Sequence, residues 1–264
     1  MERGEVVSRT EVKASTAWGY GEYLNLPALL SLQQTRGQPP VHDEMLFVIV
    51  HQAHELWFKQ ILFELKALIT DIDQGRWASA CRTLNRLSAI LTLLVQHVEV
   101  LDTMPSEEFQ RFRAALGSAS GMQSEQFRSI ERLAGSLPDA SAASPPGRAC
   151  ADGGSSSVRE AFFRALPGAG LSGEVTLRSE PCLAGASEPR AFVWRMLEGP
   201  GLEEHRHLAE RMLHFDEQMM CWRARHCELA QKMIGSTAGT GGSSGARYLH
   251  GTLAKRLFPE LWLV

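Results

Sequence analysis

Apolar residues recur along this chain at the three- and four-residue spacing of amphipathic helices, and the alternation typical of strands is nearly absent. Leu84, Leu87 and Leu91 illustrate this spacing within one apolar stretch. The pattern predicts helices over about 42–73, 76–101, 106–116, 122–134, 201–234 and 246–257. We therefore expect an all-α fold built as a helical bundle.

The middle of the chain lacks this periodicity. Residues 136–157 are rich in Ser, Ala, Pro and Gly, and residues 166–190 are nearly as irregular. Neither stretch contains a repeat or a heptad pattern. The sequence therefore predicts one helical domain over residues 1–264, with a poorly specified segment at about 136–200.

Charge and cysteine content narrow the classes of function. The 27 basic and 30 acidic residues nearly cancel, so no nucleic-acid or anionic-membrane partner is expected. The longest apolar runs are too short to span a bilayer, and the polar start of the chain lacks a signal-peptide pattern. Five scattered cysteines without a CxxC pair argue against a disulfide framework and a structural zinc site. We expect a soluble, cytoplasmic protein.

A histidine on a helical segment, followed by the flexible loop GTGGSSG (239–245), is the most informative feature of the chain. Such a loop brings backbone N–H groups close to a polar partner. It has no P-loop lysine, and Ser244 stands where a dinucleotide fingerprint requires glycine, so a nucleotide phosphate site is not expected. His226 lies on a mostly apolar segment, where an imidazole is either a metal or haem ligand or a core histidine.

The predicted helix over 42–73 carries a second group of candidates. Phe47 and His51 are four residues apart and share a face, and His54 follows one turn later. The spacing His51-x-x-His54 is compatible with a metal ion held between adjacent turns, but the HExxH spacing is absent. The alternative is a buried His51 beside an exposed or capping His54.

Phe109, Arg113 and Leu116 follow one another at helical spacing, and Ser120 lies one turn beyond. An arginine on an apolar stripe is costly to bury unpaired, and its planar fork matches a carboxylate. The alternative is a surface arginine whose aliphatic stem covers apolar neighbours.

Together these segments resemble the tryptophan 2,3-dioxygenase family of all-helical, haem-containing enzymes. The similar stretches are YGEYLNLPALLSLQ (20–33), HDEMLFVIVHQAHELWFK (42–59), FQRFRAALGSASGMQS (109–124), FDEQMMCWRARH (215–226), MIGSTAGTGGSSGARYL (233–249) and FPELW (258–262). The resemblance implies an all-α bundle that holds haem b, uses O2 and opens the indole ring of L-tryptophan to give N-formylkynurenine. It also implies a homotetramer.

The resemblance gives the candidate residues roles. His226 matches the axial ligand of the haem iron, and His51 and Phe47 match the pair that meets the indole on the other side of the haem. Arg113 matches the residue that binds the substrate carboxylate, and Thr240 matches the one that contacts its ammonium group. The remaining matches are the pocket positions Phe109, Leu116 and Ser120, and the residues Tyr20, Tyr23 and Leu24 of a segment that reaches a neighbouring subunit's pocket.

Departures from the family pattern leave other functions open. His54 stands where the family usually has a small hydroxyl residue. Met122 replaces a phenylalanine, and the segment 136–200 looks shortened and irregular. Arginine outnumbers lysine 22 to 5, which is typical of GC-rich genomes, where such enzymes also serve specialised pathways. The alternative function is mono-oxygenation of a modified tryptophan, such as a β-methyl derivative, to a 2-oxindole. A catalytically inactive haem-binding sensor is a third hypothesis.

Overall fold

The structure, a computed structural model, describes residues 18–136, 156–166 and 189–262. Contacts divide the chain into two compact units, Met1–Gln34 and Thr35–Val264. Within the described ranges every regular element is a helix and no strand occurs, so the predicted all-α class is confirmed. The expectation of a single domain stays a prediction.

The described part of the first unit consists of two short helices, α1 (Tyr20–Tyr23) and α2 (Leu26–Leu29). Asn25 separates them with φ 50°, a left-handed conformation that asparagine adopts more readily than most residues. The side chains of Tyr20 and Tyr23 are about three-quarters exposed, at 76% and 77%.

Three long helices form the framework of the second unit. Helix α4 packs against both α3 and α9, and it buries a continuous leucine stripe against them (Leu84, Leu87, Leu91 and Leu94). Each such leucine stabilises the fold by about 1.5–3 kcal/mol through removal of apolar surface from water. The helices of this unit are α3 (Glu44–Asp73), α4 (Trp77–Leu101), α5 (Ser106–Arg113), α6 (Glu125–Ala134), α7 (Val158–Ala165), α8 (Pro189–Leu197), α9 (Glu203–Ile234) and α10 (Ala246–Thr252).

Helix α4 is the one described helix that is long and apolar enough to cross a membrane by length and composition. A core helix of a globular protein passes the same test. The leucine stripe of α4 is fully buried by its neighbours, which accounts for its apolar composition without a bilayer.

The turn between α3 and α4 lies where the sequence predicted it. Gly75 has φ 67°, in the left-handed region that favours glycine. Arg76 then donates from its guanidinium to the Asp71 carboxylate, with an N–O distance of 2.5 Å. The turn makes α3 and α4 antiparallel neighbours.

Two of the predicted helices end differently. The predicted helix 106–116 is α-helical only to Arg113 and continues as a 3-10 turn, Ala114–Leu116. The prediction that α10 extends to about 257 is wrong, because the helix ends at Thr252. Beyond it, the backbone N–H groups of Leu257 and Phe258 donate to a side chain of α9 instead of to helical carbonyls.

That side chain is Asp216, which is fully buried in the middle of α9. Its Oδ2 accepts hydrogen bonds from the N–H groups of Leu257 (2.9 Å) and Phe258 (3.1 Å) and from the Trp262 indole N–H (2.9 Å). One carboxylate oxygen therefore holds the C-terminal segment against α9.

Helices α7 and α8 lie inside the segment predicted to be irregular. Ser157 caps α7 by accepting from the Glu160 N–H, and the Glu160 carboxylate accepts from the Ser157 N–H in return. Val158 and Phe162 of this helix are fully buried. Much of the rest of that segment, 137–155 and 167–188, lies outside the described residues.

Candidate active site

Phe47 and His51 form one wall of the candidate site, on the first three turns of α3. Their rings contact each other, with centroids 4.0 Å apart. The Nδ1–H of His51 donates to the Phe47 carbonyl at 2.7 Å. Because a carbonyl can only accept, this bond fixes the tautomer and leaves Nε2 with a free lone pair. Burial lowers the pKa of His51, so the ring is neutral at physiological pH.

Phenylalanines of α5 continue this wall. The ring of Phe109 lies 6.0 Å from that of Phe47, and Phe112 lies 5.5 Å from Phe47 and 5.4 Å from Phe109. Leu116, in the following 3-10 turn, is partly buried against the same core. The α3 and α5 candidates therefore come together in one aromatic cluster.

Arg113, at the end of α5, reaches the loop that follows α9. Its guanidinium donates to the Ala238 carbonyl at 2.6 Å. The side chain is only partly buried, and four of its five N–H groups are not used in the bond to Ala238. In the same loop, the Thr240 hydroxyl donates to the Ala119 carbonyl. Two loops that are more than 100 residues apart in sequence are thus tied together by these bonds.

Ser120 and Gly241 mark the closest approach of these two loops. A Cβ atom on Gly241 would lie 2.6 Å from the Ser120 Cβ, so only glycine fits there without a shift of the backbone. The Ser120 hydroxyl accepts from the Met122 N–H at 3.3 Å, which ties Ser120 into its own turn. The small residues of the loop therefore allow it to approach the Ser120 turn closely.

His226 lies on α9, one turn after Trp222, and the two rings stack with centroids 5.5 Å apart and an interplanar angle of 27°. Neither ring nitrogen of His226 has a hydrogen-bond partner among the described residues. Burial, reinforced by the charges of His51 and His54, lowers the pKa of His226 to about 4. A neutral imidazole with a free lone pair is the form that ligates a metal.

The hypothesis of a metal ion between His51 and His54 is not supported. The Nδ1–H of His54 donates to the Val50 carbonyl at 2.8 Å, and its Nε2 accepts from the Trp222 indole N–H at 3.3 Å. Both nitrogens of this ring are therefore engaged. Across the described ranges, no group of three His, Cys, Asp or Glu side chains is arranged to hold a metal ion.

Other polar groups near this site were not singled out by the sequence. The Gln126 amide donates to both the Glu55 carbonyl (2.9 Å) and its carboxylate (2.8 Å), which ties α6 to α3 one turn beyond His51. Helical spacing places Trp222, four residues earlier, beside His226, but the hydrogen bond from Trp222 to His54 depends on how α3 and α9 pack.

The candidates Tyr20, Tyr23 and Leu24 belong to the first unit and are exposed. Their predicted contribution to a neighbouring subunit stays a prediction.

Comparison with known proteins identifies similar sequences over nearly the whole chain. The family model described as tryptophan 2,3-dioxygenase matches residues 5–142 and 192–264. A protein named tryptophan 2,3-dioxygenase from Anaeromyxobacter dehalogenans (strain 2CP-C) is 39% identical, over 95% of this chain and 96% of its own length. Proteins with the same name from a Nocardioides species and from Herpetosiphon aurantiacus are 38% and 35% identical. These cover 92% and 95% of this chain and 92% and 98% of their own lengths.

Proposed function

Because this chain belongs to the tryptophan 2,3-dioxygenase family, we propose that it oxidises the indole C2–C3 bond of L-tryptophan with O2 and opens the ring to give N-formylkynurenine. All three relatives described above carry that name, so mono-oxygenation of a modified tryptophan to a 2-oxindole is not favoured. The observation that carries the proposal is the neutral His226 imidazole, whose nitrogens have no hydrogen-bond partner among the described residues and whose pKa is influenced by His51 across the site.

His226 is the residue that would bind the iron of haem b. Its free lone pair and its apolar neighbour Trp222 fit the chemistry of a haem ligand, and no other described residue competes for its nitrogens. When bound, the haem iron supplies the activation of O2 that no side chain of this protein can provide. The protein contributes binding, orientation and exclusion of water.

Phe47 and His51 orient the indole. The bond from the His51 Nδ1–H to the Phe47 carbonyl leaves Nε2 as an acceptor, and the indole N–H of tryptophan is a donor only. The adjacent phenyl rings of Phe47 and Phe109 offer an apolar surface to the indole face. Leu116 and Ser120 complete the proposed pocket. Holding the ring in one position lowers the entropic part of the barrier.

Arg113 and Thr240 bind the amino-acid end of the substrate. A guanidinium has five N–H donors, and Arg113 uses one of them for Ala238. The remaining N–H groups of Arg113 can bind both oxygens of a carboxylate, and the Thr240 oxygen can accept from an ammonium group. Since Arg113 is already tied to the loop that carries Thr240, both groups are organised before substrate arrives.

Tyr20, Tyr23 and Leu24 are proposed to enter the pocket of a neighbouring subunit in a homotetramer. The exposure of both tyrosines supports this, because aromatic rings left in water favour an interface. A cytoplasmic location is proposed with it, in keeping with the free thiols of Cys81, Cys221 and Cys227.

The test is single-turnover oxidation of L-tryptophan by the reduced haem protein, with the product identified by mass spectrometry. We expect a product heavier than tryptophan by two oxygen atoms, with the absorbance of N-formylkynurenine. A product heavier by one oxygen would instead support the oxindole reaction. Haem binding without any tryptophan turnover would support the inactive sensor. His226→Ala should lose the five-coordinate histidine-haem spectrum, and retention of that spectrum would refute the assignment of the ligand.

A further inference from the structure

His54 makes a polar contact that is uncommon in an otherwise apolar layer. Its Nδ1–H is committed to the Val50 carbonyl, so its Nε2 can only accept. The group that donates to it is the indole N–H of Trp222, at 3.3 Å. An indole N–H can only donate, so the direction of this hydrogen bond is fixed. The two side chains, 168 residues apart, therefore form a defined donor–acceptor pair between α3 and α9.

Trp222 is also the residue against which His226 lies. The Trp222 ring also contacts Phe58, with centroids 5.9 Å apart and planes 85° apart, and Phe127, with centroids 5.1 Å apart. These contacts hold the indole in a pocket, but apolar contacts alone do not fix its rotation in its own plane. A directional hydrogen bond does.

We infer that His54 is a positioning residue for the haem ligand. By accepting the Trp222 N–H, it fixes the rotation of the indole, and the stacked indole in turn limits the rotation of the His226 ring. The inference rests on the proposed function, in which His226 ligates haem. His54 acts only through Trp222 and does not itself bind substrate or haem.

The His97 ring also contacts His54. The centroid of His97 is 5.5 Å from that of His54 in an edge-on arrangement, and the Nδ1 of His97 is buried without a hydrogen-bond partner in the described part of the chain. His97 thus packs on His54 without competing for its Nε2. This arrangement leaves the Trp222 bond as the directional contact of that nitrogen.

Four variants of the haem-loaded protein test the inference. His54→Phe keeps a ring but removes the acceptor, and Trp222→Phe keeps a ring beside His226 but removes the donor. The double variant measures whether the two changes act through one contact. His54→Gln is the rescue variant, because an amide oxygen can take the place of Nε2 as the acceptor.

The primary readout is the iron–histidine stretching band of the reduced protein in resonance Raman spectra, with the rate of haem dissociation as a second. We expect His54→Phe and Trp222→Phe to shift the band and to speed haem loss by roughly fivefold, the effect of one hydrogen bond. The double variant should resemble either single variant, and His54→Gln should restore the wild-type band.

An unchanged band in His54→Phe would overturn the inference, as would additive shifts in the double variant. A uniform loss of thermal stability with an unchanged band would show that His54 is only a packing residue, which also overturns it. Absence of the iron–histidine band from the wild-type protein would instead refute the proposed ligand His226. The two failures are therefore distinguishable.

Discussion

Replacing Asp216 with alanine removes the acceptor that holds the C-terminal segment on α9. Asp216 is fully buried, and its Oδ2 accepts from the N–H groups of Leu257 and Phe258 and from the Trp262 indole. Each donor left unsatisfied in a buried site costs about 1–3 kcal/mol. Because the segment can relax and expose some of these groups to water, we expect a total loss of about 4 kcal/mol in the free energy of unfolding.

The matched control is Asp216→Asn. The Oδ1 of Asp216 is buried and has no hydrogen-bond partner among the residues that the structure describes. An asparagine can therefore place its NH2 group there and keep its oxygen in the position of Oδ2. It retains all three hydrogen bonds, but it weakens them by removing the charge and places an NH2 donor where no described acceptor lies, so we expect it to cost about 2 kcal/mol, less than alanine.

Urea denaturation followed by circular dichroism measures both free energies. For a chain of this size, the alanine variant should also lower Tm by roughly 2–4 °C per kcal/mol. Equal destabilisation by alanine and asparagine would refute the reasoning, because it would show that the charge of Asp216 matters and its hydrogen-bond geometry does not. A loss below about 1 kcal/mol in the alanine variant would show that the C-terminal segment is held mainly by packing.

Three further predictions concern the candidate site. Arg113→Ala should weaken tryptophan binding roughly 10- to 100-fold in spectral titrations, through loss of charged hydrogen bonds, with haem content unchanged; equal loss of haem would show a structural role. Gly241→Ala should raise KM, because its Cβ would lie 2.6 Å from Ser120, whereas Gly251→Ala, with nothing within 4 Å, should not. The haem-free protein should lose stability as pH falls from about 6.5 towards 4. In the unfolded chain, His226 takes up a proton near the ordinary histidine pKa of about 6.5, whereas in the folded protein it does so only near its pKa of about 4. Denaturation curves at several pH values measure that slope, and a flat profile would contradict it.

Much of the helical framework follows from local sequence signals. The apolar spacing and the turn at Gly75 predicted α3 and α4 to within two residues. Helix α7 was missed although its capping box, Ser157 with Glu160, is visible in the sequence, because the surrounding composition suggested an irregular segment. The segment after α10 could not be predicted, since its contacts with Asp216 join residues about 40 positions apart in the chain.

Some contacts of the candidate site could likewise be predicted from the sequence, and others could not. The contact of Phe47 with His51 follows from their four-residue spacing on one helix. The bond from Arg113 to the Ala238 carbonyl and the bond from Trp222 to His54 join residues more than 100 positions apart. No periodicity encodes such pairings, because they depend on how the helices pack. Resemblance to a family supplies residue roles, but it does not supply these contacts.

The length of α9 limits which insertions and deletions this chain can accept. One uninterrupted helix carries Asp216, which accepts from Trp262, Trp222, which donates to His54, and His226, the proposed haem ligand. Inserting or deleting a single residue between Asp216 and His226 would turn everything beyond it by about 100° around the helix axis. The C-terminal anchor and the histidine could then no longer both face their partners. A change in the length of this stretch would therefore disturb several contacts at once, whereas a point substitution disturbs the contacts of one residue.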